Sequence, residues 1–143
     1  MHSINDIKLI KVPHYIDNRG ILTVLSEDIL GFNYKRTYFI KSVPKGLIRG
    51  EHAHVYTSQF LICINGECEV EIDDGYDSKV YNLNMPDFGI LIPPGIWGKI
   101  KYKEENTVLL VLASHEYDPK DYLHDYEEFK KLAGDKNENN SIR

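Results

Sequence analysis

His52 and His54 stand one residue apart in the stretch "GLIRGEHAHVYTSQFLICINGECEVEIDDG", Gly46 to Gly75. In an extended strand, residues two apart point the same way, so both imidazoles share one face. Imidazole titrates near neutral pH and is also a common metal ligand, so the pair suits either proton transfer or metal binding. Arg49 and Gly50 lie just before it. The chain has four arginines against thirteen lysines; apart from Arg143 they are Arg19, Arg36 and Arg49, each in or beside a predicted strand. Guanidinium groups grip phosphate or carboxylate bidentately, as lysine does not. Together with the histidines they point to an anionic ligand held by a protein whose net charge is −5.

These residues must be positioned by β-structure. Short segments rich in β-branched and aromatic residues recur: Lys8–Val12, Gly20–Ser26, Arg36–Ser42, Gln59–Asn65, Glu67–Asp73, Ser78–Leu83, Gly89–Pro93, Trp97–Tyr102 and Thr107–Ser114. Turn residues such as Asp17-Asn18, Asn65-Gly66 and Pro93-Pro94-Gly95 divide them, a pattern of sandwiches and barrels. Asn65-Gly66 reads as a two-residue hairpin turn, which sets Ile64 opposite Glu67 and Cys63 opposite Cys68. Gln59, Leu61 and Cys63 then share an interior face with Cys68, Val70 and Ile72. On the other face Phe60, Ile62 and Ile64 are apolar, which suggests a second packed surface such as a subunit interface.

Asp118-Pro119 reads as an N-cap followed by proline at the first helical position. Tyr122, Tyr126, Phe129 and Ala133 follow at helical spacing, so a C-terminal helix should pack its aromatic stripe against the barrel. Residues 134–143 are polar and expected to form a disordered tail. Residues 1–133 make one domain, large enough to bury a core without staples.

Apolar residues are 42% and charged residues 27% of the chain, and no apolar run approaches the roughly 20 residues that span a bilayer. No membrane segment is expected. The opening Met1-His2-Ser3-Ile4-Asn5-Asp6 does not read as a secretory signal, which favours the cytoplasm. The acidic balance argues against nucleic acid as a partner. Cys63 and Cys68, the two cysteines, are too few for a thiolate metal site and read as free buried thiols.

The spacing Gly46, five residues, His52-Ala53-His54, four residues, Gln59, six residues, Gly66 resembles the first motif of the cupin superfamily, which carries glutamate where this chain has Gln59. Pro93-Pro94-Gly95-Ile96-Trp97 resembles the second motif, with Gly98 where a third histidine belongs. The resemblance implies an all-β fold, a cupin jelly-roll barrel with a short C-terminal α-helix. It also implies that only two of four usual metal ligands are kept, since an amide is a weak ligand and glycine offers none. No catalytic metal is expected, which frees the histidines for acid–base work.

A narrower resemblance rests on "DNRGILTVL", "YKRTYFIKSVPKGLIRGEHAH", "QFLICINGECEVEIDDG", "LIPPGIWG" and "VLLVLASHEYDPKDYLHDYEEF". These are similar to the WxcM-like sugar 3,4-ketoisomerases, which act on dTDP-linked 4-oxo-6-deoxy-glucose. The resemblance implies that a base removes the C3 proton, an enediol forms, and reprotonation at C4 leaves the ketone at C3, with no redox cofactor. It casts His54 as the carbon-to-carbon proton shuttle, His52 as the group that polarises the sugar oxygens and Tyr38 as a further acid. Gln59 would orient the sugar or a histidine, Arg49, Arg36 and Arg19 would meet the pyrophosphate or sugar, and Trp97 would wall the sugar or fill the barrel mouth. Some relatives carry a histidine directly after the tryptophan, so Gly98 leaves open whether the product is the galacto or the gluco epimer. A 3,5-epimerase of the same sugars and a non-catalytic cupin binding an anionic small molecule are the rival readings. A homodimer is expected, with exchange of N-terminal strands among its possible forms.

Overall fold

The computed structural model describes residues 2–141, and the side-chain surroundings of residues 2–135. Its strands are β1 (Lys8–Lys11), β2 (His14–Asp17), β3 (Gly20–Thr23), β4 (Arg36–Ile40), β5 (Ile48–His54), β6 (Gln59–Asn65), β7 (Cys68–Asp73), β8 (Ser78–Leu83), β9 (Phe88–Ile92), β10 (Trp97–Tyr102), β11 (Val108–Ala113) and β12 (Tyr122–Leu123). Two helices, α1 (Glu27–Leu30) and α2 (Tyr126–Ser141), complete the chain with short 3-10 turns at Ile4–Asp6 and Pro119–Asp121. Two five-stranded antiparallel sheets, ordered β1-β9-β6-β11-β4 and β12-β5-β10-β7-β8, stack as the two layers of a jelly roll. A separate two-stranded ribbon pairs β2 with β3.

The core follows strand alternation. Leu61 and Cys63 of β6 meet Cys68, Val70 and Ile72 of β7 between the layers, joined by Leu83, Ile90, Tyr102, Leu109 and Val111. This is the interior face expected from the sequence, but it is reached by a different route. β6 and β7 are not a hairpin. Both edges of β6 are occupied by β9 and β11, and both edges of β7 by β10 and β8, so Asn65-Gly66 is a corner that carries the chain from one sheet to the other. Cys63 pairs across its own sheet with Leu109, and Cys68 across its own with Tyr102 and Leu83. The two cysteines still share one buried cluster, because both point into the space between the layers, where the Cys63 thiol donates to the Asn65 carbonyl at 3.1 Å. Both are free and buried.

The second apolar face of β6 is covered from within the chain, not left as an open interface. Phe60 and Ile62 are fully buried under Val12, Leu30 and Leu112, with Leu25, Ile29 and Phe32 around them. Short α1 makes that cover possible: Ser26 caps it by accepting from the Ile29 N–H, and Gly31 closes it in the left-handed region at φ 73°. Only Ile64, 44% exposed, fits the expected open surface.

The C-terminal segment also departs from expectation. Asp118 does cap the residues after it, its carboxylate accepting from the Lys120 N–H, but the result is a single 3-10 turn. The chain then extends as β12 and pairs Tyr122 with His54 and Leu123 with Ala53 before α2 begins. Tyr122 therefore leaves the helical stripe. Phe129 and Tyr126 remain in it, packed with Leu123 against Ala53 and Trp97. The helix continues past Gly134 to Ser141, so the stretch expected to be unstructured is helical that far. Once a helix is nucleated each further residue adds a hydrogen bond, and one glycine, at a cost of roughly 1 kcal/mol, does not stop it.

Candidate active site

Between the two sheets lies a cavity of about 410 Å³, lined from one sheet by Arg36, Tyr38, Gln59 and Leu61 and from the other by Arg49, His52, His54, Gly98 and Ile100. A volume of this size suits a small-molecule ligand. Val70, Ile92, Ile96 and Val111 make its apolar wall. The charged lining is cationic: Arg36 and Arg49 face it, and no carboxylate is among the lining residues described. A locally cationic cavity thus sits within an acidic protein.

β5 carries the site, and a bulge decides what it presents. Gly98 of β10 lies opposite His52, Lys99 opposite Gly50 and Ile100 opposite Arg49, so Glu51 is looped out. Gly50 and Glu51 take φ values of 93° and 53° to accommodate the extra residue. In an unbroken strand Arg49 would point away from His52 and His54; the extra residue reverses the alternation and turns Arg49 toward the same wall.

His54 is 5% exposed. Its Nδ1 lies 2.7 Å from Oδ2 of Asp121, while its Nε2 is buried without a protein partner. Asp121, itself 1% exposed, also accepts from the Thr57 hydroxyl and, at 2.8 Å, from the Tyr56 N–H. Burial works to raise the Asp121 carboxyl, but those bonds outweigh it and hold the group below the ordinary aspartate range. Asp121 is therefore an acceptor, and the proton between it and His54 belongs to Nδ1. Burial also pushes His54 below the ordinary histidine range, against the opposing pull of Asp121. The result at neutral pH is a neutral imidazole whose free lone pair is on Nε2, the properties of a general base.

His52 is built similarly but more weakly. Its Nδ1 donates to the Gly50 carbonyl at 3.0 Å, its ring lies 5.1 Å from those of His54 and Tyr122, and burial lowers its pKa. Across the cavity, Gln59 Nε2 donates to the Tyr38 hydroxyl at 2.9 Å, leaving the phenolic proton available to a ligand. Burial raises the Tyr38 pKa, so the phenol keeps that proton at neutral pH. Arg36 lies over the Tyr38 ring at 5.3 Å and the Tyr117 ring at 5.7 Å, with its Nε buried and unpartnered.

Two of the residues singled out from sequence are not brought to the cavity. Arg19 sits at the tip of the β2–β3 ribbon, 86% exposed at its side chain and ion-paired with Asp17 at 2.6 Å. Trp97 is buried on the opposite side of its sheet, against Tyr126 and Phe129, because its neighbour Gly98 takes the cavity-facing position. It neither walls the cavity nor fills its mouth. The residues that sequence reasoning missed are Asp121, Thr57 and Tyr122. The motif "YDPKDY" contained two of them, but helical spacing hid the strand that places Tyr122 beside His54. Among the described residues the cupin ligand set is not assembled, since Gln59 offers a neutral amide in place of the carboxylate and Gly98 faces His52 without a side chain.

Residues 5–134 match the family described as WxcM-like, C-terminal. The chain belongs to this family. A curated relative, TDP-4-oxo-6-deoxy-alpha-D-glucose-3,4-oxoisomerase of Aneurinibacillus thermoaerophilus, is 37% identical over 125 residues, 87% of this chain and 90% of its own. The sugar 3,4-ketoisomerase of Thermoanaerobacterium thermosaccharolyticum, solved in complex with TDP, superimposes with a TM-score of 0.89 at 34% identity, covering 94% of this chain and 98% of that one. A histidine-to-asparagine variant of that enzyme, solved with TDP-4-keto-6-deoxyglucose, gives 0.87 at 34% identity over 92% and 96% of the two chains.

Proposed function

We propose that this WxcM-like protein is an isomerase that moves the ketone of a TDP-linked 4-oxo-6-deoxy-glucose from C4 to C3. The observation that carries the reading is His54: a neutral buried imidazole with its free nitrogen unpartnered, at a cavity whose charged lining is two arginines. The 4-ketone acidifies the C3 hydrogen. His54 Nε2 takes that proton, the C3–C4 bond becomes double and O4 takes a proton from the Tyr38 hydroxyl, giving an enediol. The enediol then loses the O3 proton and gains the His54 proton at C4, which leaves the ketone at C3 and the hydroxyl at C4. His52 Nε2, unprotonated while Nδ1 holds Gly50, accepts the O3 proton, and exchange with solvent then takes that proton from His52 and returns one to the Tyr38 oxygen, which restores both groups. No electrons leave the sugar.

Arg36 and Arg49 bind the diphosphate, and Gln59 holds the Tyr38 hydroxyl in place. The exposed Tyr15, Ile16, Ile21 and Leu22 on the β2–β3 ribbon support a homodimer, because an isolated two-stranded ribbon is marginal in water and four large apolar side chains at 54–65% exposure call for a cover. A second copy would also give Arg19 a route to a cavity. Free thiols at Cys63 and Cys68 support a cytoplasmic site of action. Its product would feed a 3-amino-3,6-dideoxyhexose of a surface glycan.

A proton NMR time course with TDP-4-oxo-6-deoxyglucose in deuterated buffer tests the reading. Appearance of a 3-oxo sugar supports it, and the C4 coupling names the epimer. Deuterium entering C3 and C5 while the ketone stays at C4 would instead make the protein an epimerase, and binding without change would make it a carrier.

A further inference from the structure

The 3-10 turn at Pro119–Asp121 does more than end the barrel. It is tied to the segment after β5 by the Val55 N–H on the Asp121 carbonyl at 2.7 Å, the Tyr56 N–H on Oδ1 at 2.8 Å and the Tyr56 hydroxyl on Asp118 at 2.6 Å. Oδ2 of Asp121 then takes both the Thr57 hydroxyl and His54 Nδ1. Every bond to this carboxylate comes from a residue between 54 and 57, so its orientation is set by the strand whose histidine it holds. We propose that Asp121, with Thr57, is the positioning pair of the reaction: it fixes His54 as the Nδ1–H tautomer and so makes Nε2 the one basic nitrogen offered to the sugar. This rests on the ketoisomerase reading above.

The chemistry follows from what a carboxylate cannot do. An ionised carboxylate only accepts, so it admits one neutral tautomer of His54; an amide in its place can also donate, and then admits the other. In the second tautomer Nε2 carries the hydrogen and the base is lost without any change in shape. The carboxylate has a second role when the proton arrives, since it stabilises the imidazolium formed between the two carbon transfers. Thr57 keeps the carboxylate from rotating away. The groups facing His54 are otherwise neutral or cationic: His52 on β5, Tyr122 and His124 beside it, and Arg36 from β4. Asp121 is the only described anion that touches it.

The test is a histidine side-chain nitrogen–proton correlation spectrum of the ligand-free full chain, read beside steady-state turnover, for wild type, Asp121→Asn, Asp121→Glu and Thr57→Val. Wild type should show the Nδ1–H tautomer at His54. Asp121→Asn should shift it toward Nε2–H and lower kcat at least about 100-fold, the direction seen when a serine-protease aspartate becomes asparagine, with KM and TDP affinity within about threefold. Asp121→Glu should keep the Nδ1–H tautomer and recover part of kcat, which a purely structural role would not predict. Should Asp121→Asn fail to fold, Thr57→Val and the wild-type spectrum carry the test: Thr57→Val should lower kcat several-fold and move the acidic limb of its pH profile. An Nε2–H tautomer in wild type, or a folded Asp121→Asn with kcat within threefold of wild type, overturns the proposal and leaves the ketoisomerase reading standing. A wild type without turnover overturns both.

Discussion

Arg49 and His52 lie on the same wall of the cavity although three positions separate them, because Glu51 is looped out between them opposite the Gly98–Lys99 link. One extra residue therefore brings the Arg49 guanidinium to the wall that carries the histidine pair. Arg49→Ala should weaken TDP binding at least about 10-fold, the loss expected for a charged hydrogen-bond partner, with Arg49→Lys recovering only part because it cannot bind bidentately. Isothermal titration with TDP measures both, and unchanged affinity in Arg49→Ala would remove Arg49 from the diphosphate site.

His54→Asn should abolish detectable isomerisation while TDP affinity stays within about threefold, since the role proposed for the imidazole is on the sugar and not on the nucleotide. His52→Asn should leave measurable turnover, because a bridging water can take over proton transfer at O3 but not at carbon. Equal losses in the two variants would mean that the two histidines are not divided in this way.

The pH dependence follows from burial. Burial pushes the pKa values of His52 and His54 below 6.5, the ordinary histidine value, so each is unprotonated across neutral pH and gains a proton only as pH falls through its depressed value. The acidic limb of kcat/KM should lie below pH 6.5 and the profile should be flat from there through neutrality. The same shift destabilises the fold in acid: the unfolded chain takes up these protons first, so stability present above the unfolded pKa declines as pH falls through the window below it. Thermal melts from pH 7.5 to 5 should show this decline, and replacing both histidines with glutamine should flatten it.

Phe129→Ala should cost about 3–5 kcal/mol, the usual range for a buried phenylalanine, and should also lower turnover. Phe129 packs with Trp97 against Ala53, the fully buried residue between the two histidines, so the helix braces the strand that carries His52 and His54. Urea unfolding and kinetics on one preparation test the pairing of the two effects; lost stability with full kcat would separate the helix from the site.

Cys63 and Cys68, buried between the sheets, should resist a water-soluble thiol reagent in the native protein, with both becoming reactive in denaturant. Rapid native modification of either would contradict the packing of this corner.

What could be read from sequence was whatever strand alternation and residue chemistry determine locally. Most strand positions, the inward face of Gln59, Leu61, Cys63, Cys68, Val70 and Ile72, and the choice of His52, His54, Arg36 and Arg49 follow from side chains at period two and from the scarcity of arginine, whereas Tyr38 and Gln59 were singled out as site residues by the family resemblance. What was not legible depends on competition between distant segments. Asn65-Gly66 has the composition of a hairpin turn, yet β6 and β7 each found better partners elsewhere. Tyr122 fits a helical stripe, yet an unpaired edge of β5 drew it into a strand. Trp97 follows a motif that points to the cavity, yet alternation gave that side to Gly98. Asp121 shows the division most clearly: 67 positions separate it from His54, and only the closing of β12 onto β5 buries the carboxylate against the imidazole it holds. Local pattern selects the groups that can do chemistry, whereas pairing between remote strands decides which of them meet.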